Sequence, residues 1–163
     1  MLAIFHDPMA AIGVVPQLIK AGIEPTSIEY MDNPNVRTTS EYLEFAGAPH
    51  VEDGIYVIIT IETFNEDELD MKMEQASDIC EAAGAVDVLE ADERIWTMRR
   101  NCLESVSLIS KVCTTDDVVV PVDEMSDMIQ FIIKTVAKYP FPLRINAHIG
   151  DGNLHIVLCK CDL

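Results

Sequence analysis

The chain has 163 residues, 49% of them hydrophobic but only 6% aromatic, so its core must rest on Val, Ile, Leu, Met and Ala. A chain this long buries roughly 70% of its unfolded surface, enough for one domain without a metal or disulfide staple. With 11 Lys and Arg against 28 Asp and Glu, the formal charge of −17 excludes binding along nucleic-acid phosphates and docking by charge on an anionic membrane.

The longest apolar run, Ile55 to Ile61, falls far short of the ~20 residues that span a bilayer. The start, Met1 to Asp7, has no basic segment and no small-residue cleavage site, so no signal peptide is expected. There are five cysteines. Cys80, Cys102 and Cys113 fall in apolar patterns, whereas the Cys159-x-Cys161 spacing offers two ligands and cannot close a zinc site alone. Reduced, buried thiols and a cytoplasmic protein are the expectation.

In chain order, Leu2 to Phe5 reads as a strand. Asp7 and Pro8 then supply an N-cap and a proline at the first helical position, and Gly22 a stop. Within that helix Pro16 should introduce a bend and Gly13 a weakness. Ile23 to Met31 is predicted extended, with Pro25 near its start, and a short helix is expected from Thr39 to Ala46, ended by Gly47. Ile55 to Thr63 is β-branched almost throughout, the pattern of a strand buried on both faces. Asn65 and Glu68 resemble a capping box opening a helix whose Leu69, Met73, Ala76, Ile79 and Cys80 share one face, with Gly84 as its end. A strand at 86–89, a helix from 92 to about 108 and a strand at 118–120 follow; then come a helix from 123 to about 138 and strands at 143–149 and 154–159.

The first half of this order matches the split β-α-β pattern of a ferredoxin-like unit, and the second half begins another and stops on a strand. The expected fold class is therefore α+β: a duplicated ferredoxin-like βαββαβ, mainly antiparallel, with the second unit truncated. One domain is expected over 1–163, its units covering 1–91 and 92–163. Both chain ends read as internal joints of something longer, and the sheet edge left unpaired by truncation makes a homo-oligomer an expectation.

Chemistry concentrates between Arg144 and Cys159. Asp-Gly between two alternating apolar runs is a hairpin signal. With Asp151 and Gly152 as a two-residue loop, Gly150 opposes Asn153, Ile149 opposes Leu154 and His148 opposes His155. Opposed Cβ atoms lie about 4.5–5.5 Å apart, within reach of one metal ion at about 2.0–2.1 Å from each imidazole. The same register gathers Arg144, Asn146, His148, His155, Val157 and Cys159 on one face and Leu143, Ile145, Ala147 and Ile149 on the other. A cationic, hydrogen-bonding face on so acidic a protein suits a small carboxylate. The plainer reading is a solvated face on which two histidines meet. The Gly150-Asp151-Gly152-Asn153 turn favours the ligand site, because its glycines let backbone approach a ligand closely. A catalytic metal still needs a third protein ligand, which no local sequence names.

Trp96 and Arg99 are neighbours on one helix face. Two readings stay open: a core Trp with Arg99 running past it, or Arg99 as a fork for a substrate carboxylate. No Walker loop, Rossmann fingerprint or nucleophile elbow is present.

The string His148-Ile149-Gly150-Asp151-Gly152-Asn153-Leu154-His155 resembles the signature of the FAD-linked oxidase C-terminal domain, found in glycolate oxidases, D-lactate dehydrogenases and D-2-hydroxyglutarate dehydrogenase. The resemblance runs along nearly the whole chain. Pro25 to Asp32 is similar to the family's Pro-x-x-x-Glu-x-x-Asp strand, Trp96 to Arg99 to its Trp-x-x-Arg helix, and Asp117 to Pro121 to its Asp-x-x-x-Pro strand.

The resemblance implies a cap over a flavin held by a separate FAD-binding domain of the same polypeptide. It implies oxidation of a D-2-hydroxy acid by hydride transfer to FAD, with an electron-transfer flavoprotein or an iron–sulfur subunit among the candidate acceptors. It makes His148 and His155 ligands of a divalent metal (Zn, Mn or Fe), and Arg99 the holder of a substrate carboxylate. Asn146 and Arg144 join Arg99 as candidate substrate-binding residues. Ala147 stands where the family usually has Gly, a mild change. Val157 and Leu103 stand where hydroxyglutarate-type members carry Asn and Thr, which favours a small substrate such as lactate or glycolate. The family's third metal ligand and catalytic His belong to a Glu-His-Gly stretch expected beyond the end of this chain, so the chain alone is expected to be inactive. The competing readings are a non-catalytic ferredoxin-like ligand-binding or dimerisation module and a simple metal-binding module.

Overall fold

The computed structural model describes residues 1–160. Cys161, the second member of the Cys-x-Cys pair, lies outside the described residues. Strand β1 (Leu2–Phe5) is wholly buried and leads into α1 (Pro8–Lys20), where the Asp7 carboxylate accepts the Met9 N–H at 2.9 Å. Helix α1 continues through Pro16 and ends in a left-handed turn at Gly22 (φ 78°).

Strand β2 (Ser27–Met31) is followed at once by α2 (Asn33–Tyr42), which begins well before the expected Thr39. The reason is Asp32, which caps α2 by accepting the Asn35 N–H at 2.9 Å, with Pro34 in the first turn. Then come β3 (Ile55–Thr60), α3 (Glu66–Ala82) capped by Asn65, and β4 (Asp87–Leu89). The long helix expected from Asp92 is broken into α4 (Glu93–Arg100), α5 (Cys102–Ser105) and a 3-10 turn at Val106–Leu108. At the break the Asn101 side-chain amide donates back to the Thr97 carbonyl at 2.9 Å, sharing it with the Asn101 backbone N–H at 3.2 Å. Strand β5 (Cys113–Val119) is longer than expected and mostly exposed, α6 spans Met125–Val136, and β6 (Leu143–His148) and β7 (Asn153–Cys159) complete the described elements.

The strands form one seven-stranded sheet in the order β4-β1-β3-β2-β6-β7-β5. Every neighbouring pair is antiparallel, so the α+β, antiparallel expectation holds. The two halves of the chain meet where β2 pairs with β6, with Glu29 opposite His148 and Met31 opposite Asn146.

Alternation along the strands builds two large cores, beside a small cluster of Val106, Val157 and Cys159. Ala3, Phe5, Val57, Ile59, Ala147 and Ile156 pack under α1, α3 and α6, while Leu2, Ile4, Met31, Tyr56 and Ile58 pack against α2, α4 and α5. Burying each such aliphatic side chain contributes about 1.5–3 kcal/mol, so β3, with both faces covered, is a principal anchor of the sheet. Among the described residues no helix is long and apolar enough to cross a membrane. Cys80 and Cys102 are buried thiols, but Cys113 is exposed, because β5 lies at the sheet edge and not in the core that its apolar neighbours suggest.

Candidate functional site

The β6–β7 hairpin carries most of the predicted site, in a register two residues away from the expected one. Asn146 opposes His155 and His148 opposes Asn153, so residues 149–152 form a four-residue loop. Local bonding favours the longer loop: the Asp151 N–H donates to the His148 carbonyl at 3.2 Å and the Asp151 carboxylate accepts the Asn153 N–H at 3.2 Å. A slip of two residues preserves the faces, because side chains repeat every second residue. His148 and His155 therefore still share a face, now as diagonal neighbours, with ring centroids 5.0 Å apart and planes at 86°.

The glycines of the loop serve the chain itself. Gly150 donates its N–H to the Ile28 carbonyl at 3.3 Å. Gly152 adopts φ 84° and lies so close to the Val120 carbonyl that any Cβ would overlap it. Both hold the hairpin tip against β2 and the end of β5.

Each histidine is bonded to the carboxylate directly across from it on the next strand. His148 Nδ1 lies 2.8 Å from the carboxylate of Glu29, its β2 partner. His155 Nδ1 is hydrogen-bonded to Asp117 Oδ1 of β5, its partner on the other side. Glu29 also reaches α4: its Oε2 accepts Arg99 Nε–H at 2.9 Å, and Arg99 Nη2 lies 2.8 Å from the same oxygen. The side chains of this pair are only 10% and 12% exposed, so losing either partner would leave the other's charge buried and unpaired. The Nη2 atom itself is buried against this carboxylate.

Arg99, Asn146 and His155 line a cleft of about 270 Å³ with Arg100, Cys102, Leu103, Thr115, Asp117 and Val157. His148 lines a different cleft of about 330 Å³, with Glu29, Gly150, Asp151 and the segment from Gly22 to Ile28. The predicted substrate residues Arg99 and Asn146 are thus brought together with His155. Arg144 does not line that cleft: its Nη2 donates to Thr38 Oγ1 of α2 at 3.1 Å and its Nη1 to the Leu143 carbonyl at 3.2 Å. Its charge lies near Asp32, which draws it toward α2.

The face expected to be cationic is a mixed network, since Glu29, Asp117 and Asp32 offset its arginines and histidines. Glu29 and Asp117 were given no role by spacing alone. A carboxylate among the buried residues Ile28, Tyr30 and Met31 was the available signal, because a charge in such a strand demands a partner.

Among the described residues no group of three or more His, Cys, Asp or Glu side chains is arranged to hold a metal ion. His148 and His155 suit a divalent cation in kind, as two imidazoles each backed by a carboxylate, and they supply two ligands.

The family described as FAD linked oxidases, C-terminal domain, matches residues 1–161. A D-lactate dehydrogenase of Anaerostipes hadrus is 31% identical over 161 residues, spanning 93% of this chain and 34% of that protein. Glycolate oxidase subunit GlcD of Bacillus subtilis (strain 168) is 29% identical over 168 residues, spanning 100% of this chain and 35% of that protein. Among solved structures, an alkyldihydroxyacetonephosphate synthase shares the fold with a TM-score of 0.70 at 15% identity, over 96% of this chain and 35% of that one. The chain spans about a third of the length of the curated relatives it matches. A match along virtually the whole described length, on a sheet whose neighbouring strands β6 and β7 carry the His-x-Gly-Asp-Gly-Asn-x-His hairpin, places the chain in the FAD-linked oxidase C-terminal domain family.

Proposed function

We propose that this domain is the substrate-side cap of a cytoplasmic FAD-dependent oxidoreductase that oxidises a small D-2-hydroxy acid of the lactate or glycolate type. The observation that carries the reading is the Arg99 guanidinium, held by Glu29 at the wall of a small cleft that it shares with Asn146 and His155. A carboxylate entering that cleft meets the guanidinium, with Asn146 and His155 lining the space around it. The relatives' names, D-lactate dehydrogenase and glycolate oxidase, give the substrate class. Val157 and Leu103 on the cleft wall leave no polar partner at their positions for a second carboxylate.

FAD, bound mainly by another domain of the same polypeptide, supplies the hydride acceptor. His148 and His155 would hold a divalent cation (Zn, Mn or Fe), which lowers the pKa of an adjacent hydroxyl. Arg99 binds and orients the acid, and Glu29 fixes both Arg99 and His148. Electrons then pass to an acceptor such as an electron-transfer flavoprotein or an iron–sulfur subunit.

We also infer that the sheet is two ferredoxin-like units meeting at β2 and β6, with units at 1–91 and 92–163. The run β1-β3-β2 is mirrored by β5-β7-β6, and α1 and α6, each following the first strand of its half, pack on the same face.

The test is an anaerobic absorbance spectrum of the product of the full reading frame, before and after D-lactate or glycolate. Bleaching of a bound flavin is expected, and Arg99→Met should raise the concentration of acid required at least tenfold. A colourless product would favour a non-catalytic binding or dimerisation module, and flavin that no small hydroxy acid bleaches would overturn the substrate assignment.

A further inference from the structure

Strands β5 and β7 pair in one unbroken antiparallel register, from Cys113 opposite Cys159 to Val119 opposite Asn153. Just beyond the two ends of this ladder, the Lys160 N–H donates to the Val112 carbonyl at 2.9 Å and the Val120 N–H to the Gly152 carbonyl at 3.0 Å. Hydrogen-bonded and non-hydrogen-bonded pairs alternate along such a ladder, and Cys113 falls one residue out of step with Val112. Cys113 and Cys159 are therefore a directly opposed, non-hydrogen-bonded pair, the kind whose side chains approach most closely. Cα atoms in such pairs lie about 4.5 Å apart, within the roughly 4.4–6.8 Å that a disulfide spans.

The two thiols differ in access. Cys113 is exposed on the edge strand, whereas Cys159 is 1% exposed and packs with Val106, Val157 and Ile109. Both line one cleft of about 290 Å³, together with Phe141 and Lys160. Lys111 and Lys160, both exposed, bracket the pair along the chain and put local positive charge on a protein of charge −17.

We propose that Cys113 and Cys159 form a reversible disulfide site that reacts with small anionic disulfides such as oxidised glutathione. The Cys113 thiolate attacks one sulfur of the small disulfide; that S–S bond breaks, a mixed disulfide forms at Cys113 and one thiol leaves. Cys159, as thiolate, then attacks the Cys113 sulfur and expels the second thiol. Two electrons and two protons pass from the cysteine pair to the small disulfide, which becomes two thiols. The bond ties the outermost strand to its neighbour in the sheet, and its exposed side stays open to the attacking thiolate that reverses it. The pair continues the face of Thr115–Val157 and Asp117–His155, which line the Arg99 cleft, so the bond fixes the strand that forms one wall of that cleft.

The experiment is incubation of the native 163-residue chain with oxidised glutathione, blocking of the remaining thiols and tryptic mapping by mass spectrometry. Cleavage after Lys111, Lys134, Arg144 and Lys160 puts Cys113 in 112–134, Cys159 in 145–160 and Cys161 in 161–163, so each pairing has its own mass. Peptide 112–134 linked to 145–160 is expected as the main product, and excess reduced glutathione should abolish it. Cys159→Ala should leave glutathione attached at Cys113, and Cys113→Ser should leave Cys159 unmodified. A main product that links 161–163 to either other peptide overturns the pairing. So does glutathione that persists on Cys113 of the unsubstituted chain, or a Cys113 left unmodified. A link that forms in urea but not in the native chain shows that the strands hold the sulfurs apart, and equally overturns it. The decisive mapping needs no substitution, and Cys113→Ser is expected to fold because the side chain it replaces is exposed.

Discussion

Asp32 joins two distant parts of the chain with one carboxylate: one oxygen accepts the Asn35 N–H at 2.9 Å and caps α2, and the other accepts the Ile145 N–H of β6 at 2.6 Å. Together with Glu29 it makes β2 the strand that ties the first half of the chain to the hairpin, Glu29 through a side chain and Asp32 through backbone. The burial that makes Asp32 a good anchor also opposes its charge.

Burial pushes the Asp32 carboxyl up to about 7, against the pull of the Asn35 and Ile145 N–H groups and the nearby Arg144 charge. The same carboxyl in the unfolded chain titrates near ~3.9. The folded protein thus binds this proton more tightly, so the associated stability is fully present below about pH 4 and is lost as pH rises through about 7. Asp32→Asn, which cannot ionise, should gain on the unsubstituted protein across that window by on the order of 1 kcal/mol per pH unit. Urea melts of both proteins at several pH values measure the difference while cancelling the other carboxylates. A difference that stays flat with pH would show that Asp32 titrates normally.

Three glycines separate backbone strain from collision. Gly152 has φ 84° and lies against the Val120 carbonyl, Gly84 has φ 100° with nothing near its missing Cβ, and Gly13 sits in α1 with ordinary φ and open space. Gly152→Ala should be the most damaging, at more than about 3 kcal/mol, since it adds overlap with the chain just after β5 to the left-handed penalty. Gly84→Ala should cost about 1–2 kcal/mol, and Gly13→Ala should stabilise by about 0.4–1 kcal/mol. Denaturant midpoints at constant slope read all three, and a Gly152→Ala no worse than Gly84→Ala would contradict the contact with Val120.

Local pattern carried the elements and the composition of the hairpin face; topology carried the rest. The β-branched run at Ile55 predicted a strand covered on both sides, and β3 is that strand. His148 and His155 were placed on one face despite a register two residues off, because a slip of two leaves faces unchanged. The partners of those histidines were beyond local reasoning. Glu29 is 119 residues from His148 and Asp117 is 38 from His155, and only the strand order brings them opposite. The early start of α2 was legible in Asp32-Asn33-Pro34, whereas the break after Arg100 falls at Asn101, whose side-chain amide joins its own backbone N–H on the Thr97 carbonyl. Arg144 left the predicted site because α2, whose position over β6 no periodicity reveals, offers it Thr38 and the charge of Asp32.

Thiol chemistry offers an independent check on the edge position of β5. Cys113 is exposed on that strand, whereas Cys80 is buried in α3 and Cys102 in α5. Burial pushes the Cys80 thiol up to about 11 and the Cys102 thiol up to about 12. Alkylation requires the thiolate, so at mildly alkaline pH these two are slow both because reagent is excluded and because little thiolate forms. Peptide-resolved mass spectrometry during iodoacetamide treatment should show Cys113 modified at least tenfold faster than either, with the gap closing in urea. Comparable native rates would mean that β5 is covered, and a fast Cys102 would mean that the α4–α5 junction over the Arg99 cleft opens readily in solution.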